Sequence, residues 1–267
     1  MGQLDLIQTS DFCFELLGSD AISWLQGQVS NDIQSIKVGQ SIHACLCKAT
    51  GQIEDVITIY RDTSRISLIC QMRDPILKRI ANFRIMENVD IRLLYEGVIH
   101  FKSDLSCDSI EHHRYGVRGY DLAWNGEGNE PVRPSRPETE EDRADALIAG
   151  MPRMGQDINE KTLAAELGQE FLDRTVSFTK GCYVGQEINH RIYARGHVNQ
   201  QWVRMMSANR IEAGTPVERN GEKVGEVRAC LKSRDHDYVC SVFVKGSEMP
   251  FSLTAGGKSL TIIPSIG

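Results

Sequence analysis

The chain has 267 residues, of which 41% are apolar and 25% charged, and its formal net charge is −6. At about 150 residues per domain that length suits one large domain or two modest ones, with the composition of a protein that buries a core. The acidic balance excludes a broad binder of duplex phosphate backbones, which carries a high pI, and no window approaches the roughly 18 consecutive apolar residues of a membrane span. Met1-Gly2-Gln3-Leu4-Asp5 has neither the basic nor the apolar region of a secretory signal. The expected location is therefore the cytoplasm, and the eight cysteines are read as thiols rather than as a disulfide framework.

In chain order, Phe12–Leu17 reads as a strand, and Ser19 or Asp20 N-caps a short helix through Trp24 and Leu25. Cys45 to Tyr60 reads as a hairpin around the turn Lys48-Ala49-Thr50-Gly51-Gln52. Alternation puts Cys45, Cys47 and His43 on one strand face. That face suits either a soft metal or a core, and the four-ligand spacing of a structural zinc site is absent. Arg65–Cys70 is a further strand. Asp74-Pro75 opens a helix that places Ile76, Ile80 and Phe83 on one side, and Val89–Leu94 is the next strand. This interleaving predicts an α+β fold with a mainly antiparallel sheet.

Residues 125–145 hold Pro131, Pro134 and Pro137, and seven acids against three arginines, which predicts a mobile acidic loop. From Trp202 onward the pattern changes to short strands with glycine turns: Trp202–Ser207, Thr215–Glu218, Val224–Leu231, Tyr238–Val244 and Leu260–Ile263. Such spacing predicts a small barrel or sandwich. Two domains are expected, 1–198 and 199–267.

The densest chemical signal is Lys180-Gly181-Cys182-Tyr183-Val184-Gly185-Gln186-Glu187. A helix is expected to follow. Val184, Ile188 and Ile192 form an apolar stripe, Glu187, Arg191 and Arg195 run beside it, and Gly196 stands where a C′ glycine ends a helix. Cys182 then falls at or near the helix N-terminus, next to Lys180, and both features favour a thiolate. Around it, residues 174–210 carry six basic side chains against Glu187 alone, a net +5 inside an acidic chain. Such a strip suits a small anionic ligand or an acidic partner surface, and it equally suits a solvated helix face.

Those eight residues resemble the K-G-C-Y-x-G-Q-E signature of the YgfZ-type folate-binding proteins, relatives of the glycine-cleavage T-protein. The run Leu17-Gly18-Ser19-Asp20-Ala21 to Leu25-Gln26-Gly27-Gln28-Val29-Ser30-Asn31-Asp32 resembles the same family, and so does Ala149-Gly150-Met151-Pro152. The resemblance implies a folate-binding α+β region closed by a small C-terminal β-barrel. It implies an accessory protein that supports iron–sulfur cluster assembly or repair, including maturation of radical enzymes that modify tRNA, and that depends on Cys182 with Lys180 beside it. Its implied cofactor is tetrahydrofolate or a folate derivative, held by Asp55, Tyr183, Gln186, Glu187 and Arg191. No resident metal is implied. Its implied partners are iron–sulfur assembly or client proteins. The alternative on the same scaffold is a tetrahydrofolate-dependent aminomethyltransferase, and whether the chain is an enzyme stays open. The chain departs from the family at Ile148, where relatives that bind the pterin often carry a Glu. It departs again at Gln200 and Gln201, where arginines are usual. An apolar Ile148 cannot make the paired hydrogen bonds a pterin edge requires.

Overall fold

The computed structural model describes residues 5–63, 65–102, 110–112, 119–122, 136–235, 237–246 and 252–263. These gather into two compact units. One holds residues 5–112 with 119–122, 136–138 and 174–186, and the other holds 139–173 and 187–263.

The first unit begins with β1 (Asp5–Gln8), β2 (Phe12–Leu17), α1 (Ala21–Gln26), β3 (Gln40–Cys47), β4 (Ile53–Arg61) and β5 (Ile66–Cys70). It continues with α2 (Asp74–Phe83), β6 (Asp90–Glu96), β7 (Ile99–Lys102), β8 (Ile110–His112), β9 (Gly119–Leu122) and β10 (Arg136–Pro137). The strands form two five-stranded sheets, ordered β3-β4-β5-β2-β6 and β10-β1-β7-β9-β8. The β1–β10 pair is parallel; every other strand pair of these sheets is antiparallel, as the α+β reading predicts.

The expected hairpin is β3–β4. Lys48 N donates to Gln52 O at 2.8 Å and Gly51 N to Lys48 O at 2.8 Å. Gly51 closes the turn at φ +86°, a conformation that glycine adopts without steric cost. One face of the sheet meets α1 and α2 in a core where Phe14, Leu25, Leu46, Ile57, Leu68 and Ile76 are wholly buried. On α2, Pro75 occupies the first turn and Ile76 and Ile80 face this core as expected. Phe83 does not: it is 45% exposed, and its carbonyl instead accepts from the Trp24 indole N–H at 3.2 Å. Asp20 precedes α1, but its side chain caps no α1 amide; its Oδ2 accepts from Asn88 N at 2.7 Å.

The second unit contains α3 (Glu140–Ile148), most of α4 (Gln169–Thr175) and all but the first residue of α5 (Gln186–Arg195). It also contains β11 (Gln200–Ser207), β12 (Pro216–Arg219), β13 (Glu222–Lys232), β14 (Tyr238–Lys245), β15 (Ser252–Ala255) and β16 (Lys258–Ile262). The six strands close into a barrel in the order β11-β14-β13-β12-β15-β16. Val203, Met205, Val217, Val227, Val242 and Leu260 fill it. β15 has no counterpart among the expected strands. Its run is only four residues long, and Leu253 and Ala255 alone turn inward.

Two expectations need correction here. The mobile loop at 125–145 does not extend through its second half, and residues 123–135 lie outside the described residues. Glu140 to Asp145 belong to α3. The acids that read as a solvated run are the helix's own first turn, where negative charge meets the positive end of the dipole. Thr139 and Asp142 form a reciprocal capping box, Asp142 pairs with Arg234, and Glu140 pairs with Arg210 and accepts from Lys232 N at 3.1 Å. Those ties also explain why the contacts do not divide the chain at residue 198: residues 139–173 belong with the barrel.

Gly225 marks the tightest approach in the barrel. A Cβ there would lie 1.9 Å from the Phe243 carbonyl oxygen of β14. Gly225→Ala should therefore destabilise the protein by at least the 1–3 kcal/mol typical of overpacking, read as a lowered midpoint of urea unfolding. An unchanged midpoint would mean that β13 and β14 are not packed this closely.

Candidate functional site

The signature segment is built as a short bridge pinned on both sides of one thiol. On the upstream side, the Lys180 ammonium donates to three carbonyls: Gln26 O at 2.6 Å, Val29 O at 2.7 Å and Asn31 O at 2.8 Å. Burial pushes this amine down to about 8, with the Asp32 carboxylate opposing the shift. The three carbonyl dipoles also favour the charged form. The Tyr183 ring is buried and lies 5.2 Å from the same ammonium.

On the downstream side, Val184 N donates to Gly27 O at 3.2 Å. Gly185 sits at φ +88°, where an added Cβ would lie 2.6 Å from Lys48 O and 2.9 Å from the Cys47 Cβ. Only glycine lets the backbone pass this close to the β3–β4 turn. Between the pins, Gly181 has open space around it and Cys182 is exposed. Cys13, Cys45, Cys47, Cys70, Cys230 and Cys240 are all buried free thiols, and Cys107 lies outside the described residues.

The helix expected to begin at or near the thiol is α5, and Gly196 ends it as predicted, with φ +63° and its N–H on Ile192 O at 2.9 Å. Its first residue, however, is Gln186. Cys182 therefore lies four residues ahead of the helix and not on its first turn, because Gly185 must adopt its left-handed conformation before the helix starts. The expected apolar stripe is also weak: Ile188 and Ile192 are half-buried, and Asn189 is the buried residue of α5.

The second run of the resemblance turns out to be the socket for the first, a role that nothing in its composition announces. Gln26 Nε2 donates to Asp32 Oδ1 at 2.8 Å, while its Oε1 accepts from Ile33 N at 2.9 Å. Asn31 Nδ2 donates to His43 O at 2.9 Å and Arg174 O at 3.0 Å. The Ser30 hydroxyl donates to Thr175 O at 2.5 Å and accepts from Cys45 N at 2.8 Å. Ser30 O accepts from Ser177 N at 3.0 Å. Residues 26–32 thus face their carbonyls toward Lys180 and tie the incoming chain at 174–177.

The remaining candidates are not gathered here. Asp55 is wholly buried, with Oδ1 accepting from Val56 N at 2.8 Å and Oδ2 from Met72 N at 3.1 Å. β5 ends at Cys70, and this carboxylate satisfies amides freed where the strand stops. Burial pushes its pKa well up, against the two amides. It is not the ligand-facing acid that the resemblance implies, and as placed it does not fit a folate. Its neighbour Glu54 pairs with the buried guanidinium of Arg79, which also donates to Cys47 O at 2.6 Å. The cleft beside them, lined by Lys48, Lys78, Phe83 and Val184 among others, measures about 220 Å³, below the usual range for small-molecule sites. Gln186 is half-buried, and Glu187 and Arg191 are exposed on α5. Ile148 is half-buried, and its carbonyl accepts from Arg204. Of the basic strip, Arg204 pairs with Glu170 at 2.7 Å and Arg210 with Glu140, so their charge is already matched. The Cys45, Cys47 and His43 face is used for packing: both thiols are wholly buried and His43 Nδ1 lies 3.0 Å from Thr58 Oγ1. Among the described residues, no group of three or more His, Cys, Asp and Glu is arranged to hold a metal, and no helix is long and apolar enough to cross a membrane.

The comparisons with known proteins agree with this architecture. The glycine cleavage system aminomethyltransferase T of Bartonella henselae superposes with a TM-score of 0.76 over 98% of this chain and 85% of its own, at 14% identity. The fold is that of the glycine-cleavage T-protein. No family profile matches the chain. Within that fold class, the chain is 26% identical to the tRNA-modifying protein YgfZ of Shigella dysenteriae, across 94% of this chain and 88% of that protein. The protein of the same name from Escherichia coli O157:H7 matches at 26% over the same shares. The chain is similar to these YgfZ proteins over nearly all of its length.

The two signature glycines should respond oppositely to a methyl group. Gly185→Ala should cost about 1–3 kcal/mol or more in denaturant unfolding, and Gly181→Ala a few tenths. Equal costs would contradict the close approach at Lys48. Lys180→Met keeps the length of the side chain but removes the donor shared by three carbonyls. It should cost about 2 kcal/mol or more and speed proteolysis within 176–184, an effect read by limited digestion.

Proposed function

We propose that this protein supports iron–sulfur cluster assembly or repair, including maturation of radical enzymes that modify tRNA, and that it acts through Cys182. The observation that carries this reading is the exposed thiol on a backbone pinned at Lys180 and at Gly185. A sulfur held in one place and open to solvent is suited to transient ligation of iron or to thiol exchange with a partner. Fixing the flanking backbone beforehand reduces the ordering cost of such an encounter. The tRNA-modifying name of the relatives supports the same direction. Here the cluster is cargo, its partners are iron–sulfur assembly or client proteins, and the setting is the cytoplasm. Lys180 acts in this reading as the residue that positions the segment.

A folate derivative is the small-molecule ligand of this reading, but Asp55 is not its anchor. Tyr183, Gln186, Glu187 and Arg191 stay the candidates for holding it, and no step is assigned to it. The second reading, an aminomethyltransferase, draws on the name of the structural neighbour. The closed carboxylate of Asp55 and the apolar Ile148 count against it.

In a strain deleted for this gene, the wild-type chain should restore the activity of iron–sulfur enzymes and Cys182→Ala should not. Restoration by Cys182→Ala would defeat the proposal. Isothermal titration with tetrahydrofolate and with its 5-formyl form should give saturable heat; none would remove folate and leave the role of Cys182 standing.

A further inference from the structure

The barrel holds a second place where sulfur chemistry is set up, remote in sequence from the signature. Cys230 on β13 and Cys240 on β14 stand directly opposite each other in the antiparallel register. Their sulfurs are 3.1 Å apart, with Cys240 donating to Cys230. The Cys230 sulfur also accepts from the Ile211 amide at 3.3 Å. Cys230 therefore receives two hydrogen bonds, while Cys240 gives one away.

That asymmetry gives the two sulfurs different roles. The hydrogen bond from Cys240 favours a thiolate on Cys230, helped by the Ile211 amide and the Arg210 guanidinium and opposed by burial. Cys240 shifts the other way, because it must keep its proton to donate it and because it is buried. Exposure runs in the same sense: Cys230 retains 8% and Cys240 none. Opposed residues of an antiparallel pair have Cβ atoms about 4.5–5.5 Å apart, and a disulfide needs about 3.5–4.5 Å, so closure asks for a small strand adjustment. The irregularity of register between Val227 and Ala229, just upstream, supplies local give in β13.

We propose that Cys230 and Cys240 form a peroxide-responsive dithiol site that closes to an intramolecular disulfide across β13 and β14. Cys230 is the attacking sulfur and Cys240 the resolving one. The Cys230 sulfur attacks one oxygen of hydrogen peroxide; the O–O bond breaks, leaving a sulfenic acid and one water. The Cys240 sulfur then attacks the sulfenic sulfur; the S–O bond breaks, and the hydroxyl leaves with the Cys240 proton as a second water. Two thiols are oxidised to one disulfide, and one peroxide is reduced to two waters. The site is independent of the role assigned to Cys182.

The test uses the intact protein treated with equimolar hydrogen peroxide, quenched with N-ethylmaleimide and digested with trypsin, which cuts between the two cysteines at Lys232 and Arg234. Mass spectrometry should find the Cys230 and Cys240 peptides joined with loss of two hydrogens and separated again by dithiothreitol. In Cys240→Ser, dimedone should label Cys230; in Cys230→Ser, Cys240 should be recovered as a free thiol. Recovery of both cysteines of the wild type as maleimide adducts, with Cys182 alone oxidised, would overturn the proposal. So would a Cys230 disulfide to any cysteine other than Cys240.

Discussion

The ammonium of Lys180 is the contact on which the candidate site depends. It brings one positive charge under three carbonyls from residues 26, 29 and 31, some 150 positions earlier in the chain. Each carbonyl would otherwise face a partly buried space without a donor, which is costly in a low-dielectric setting. A lysine suits this geometry better than an arginine, because three rotatable N–H bonds on a compact head can fan out to three acceptors. Once Lys180 is held, Tyr183 packs under it. The chain then has four residues in which to reach Gly185 and cross the β3–β4 turn. Cys182 is the residue left outside.

This arrangement changes what the signature means. Read as a string, Lys-Gly-Cys-Tyr-Val-Gly-Gln-Glu looks like a catalytic box in which a lysine tunes a neighbouring thiol. In three dimensions most of its residues carry structure. Lys180 is a clamp, Tyr183 is core, and Gly185 is a clearance. The thiol gains accessibility from them, and it gains no place on the first turn of a helix. The companion run at residues 26–32 is the other half of the same joint. Its side-chain amides and hydroxyls fold the loop so that its carbonyls converge. Asp55 follows similar logic. A carboxylate at the edge of β4 is drawn inward by amides that the end of β5 leaves unpaired, and it becomes a structural acceptor.

Much of the fold was legible from local pattern. The β3–β4 hairpin, α2 with Pro75 in its first turn, the end of α5 at Gly196 and five of the six barrel strands all follow from short-range rules about periodicity, turns and caps. The failures are equally local in origin. Glu140, Glu141 and Asp142 read as a solvated acidic run because composition does not distinguish a loop from a well-capped first turn. β15 was missed because two inward residues are too few to register as alternation. Phe83 lies on the apolar stripe of α2 yet is largely exposed, since helix periodicity names a face without saying how far the core extends along it.

The sequence by itself determined the fold class and a run of short strands at the end of the chain, and its motif singled out Cys182 as the candidate thiol. Those features depend on residue periodicity and on a contiguous motif. Only the tertiary structure decided that Lys180 is committed to distant carbonyls, that Asp55 is closed to a ligand, and that Cys230 and Cys240 are a pair. The reason is the same for all three. Each depends on atoms brought together from separate strands or loops, and the chain carries no local mark of which buried group will stand opposite which.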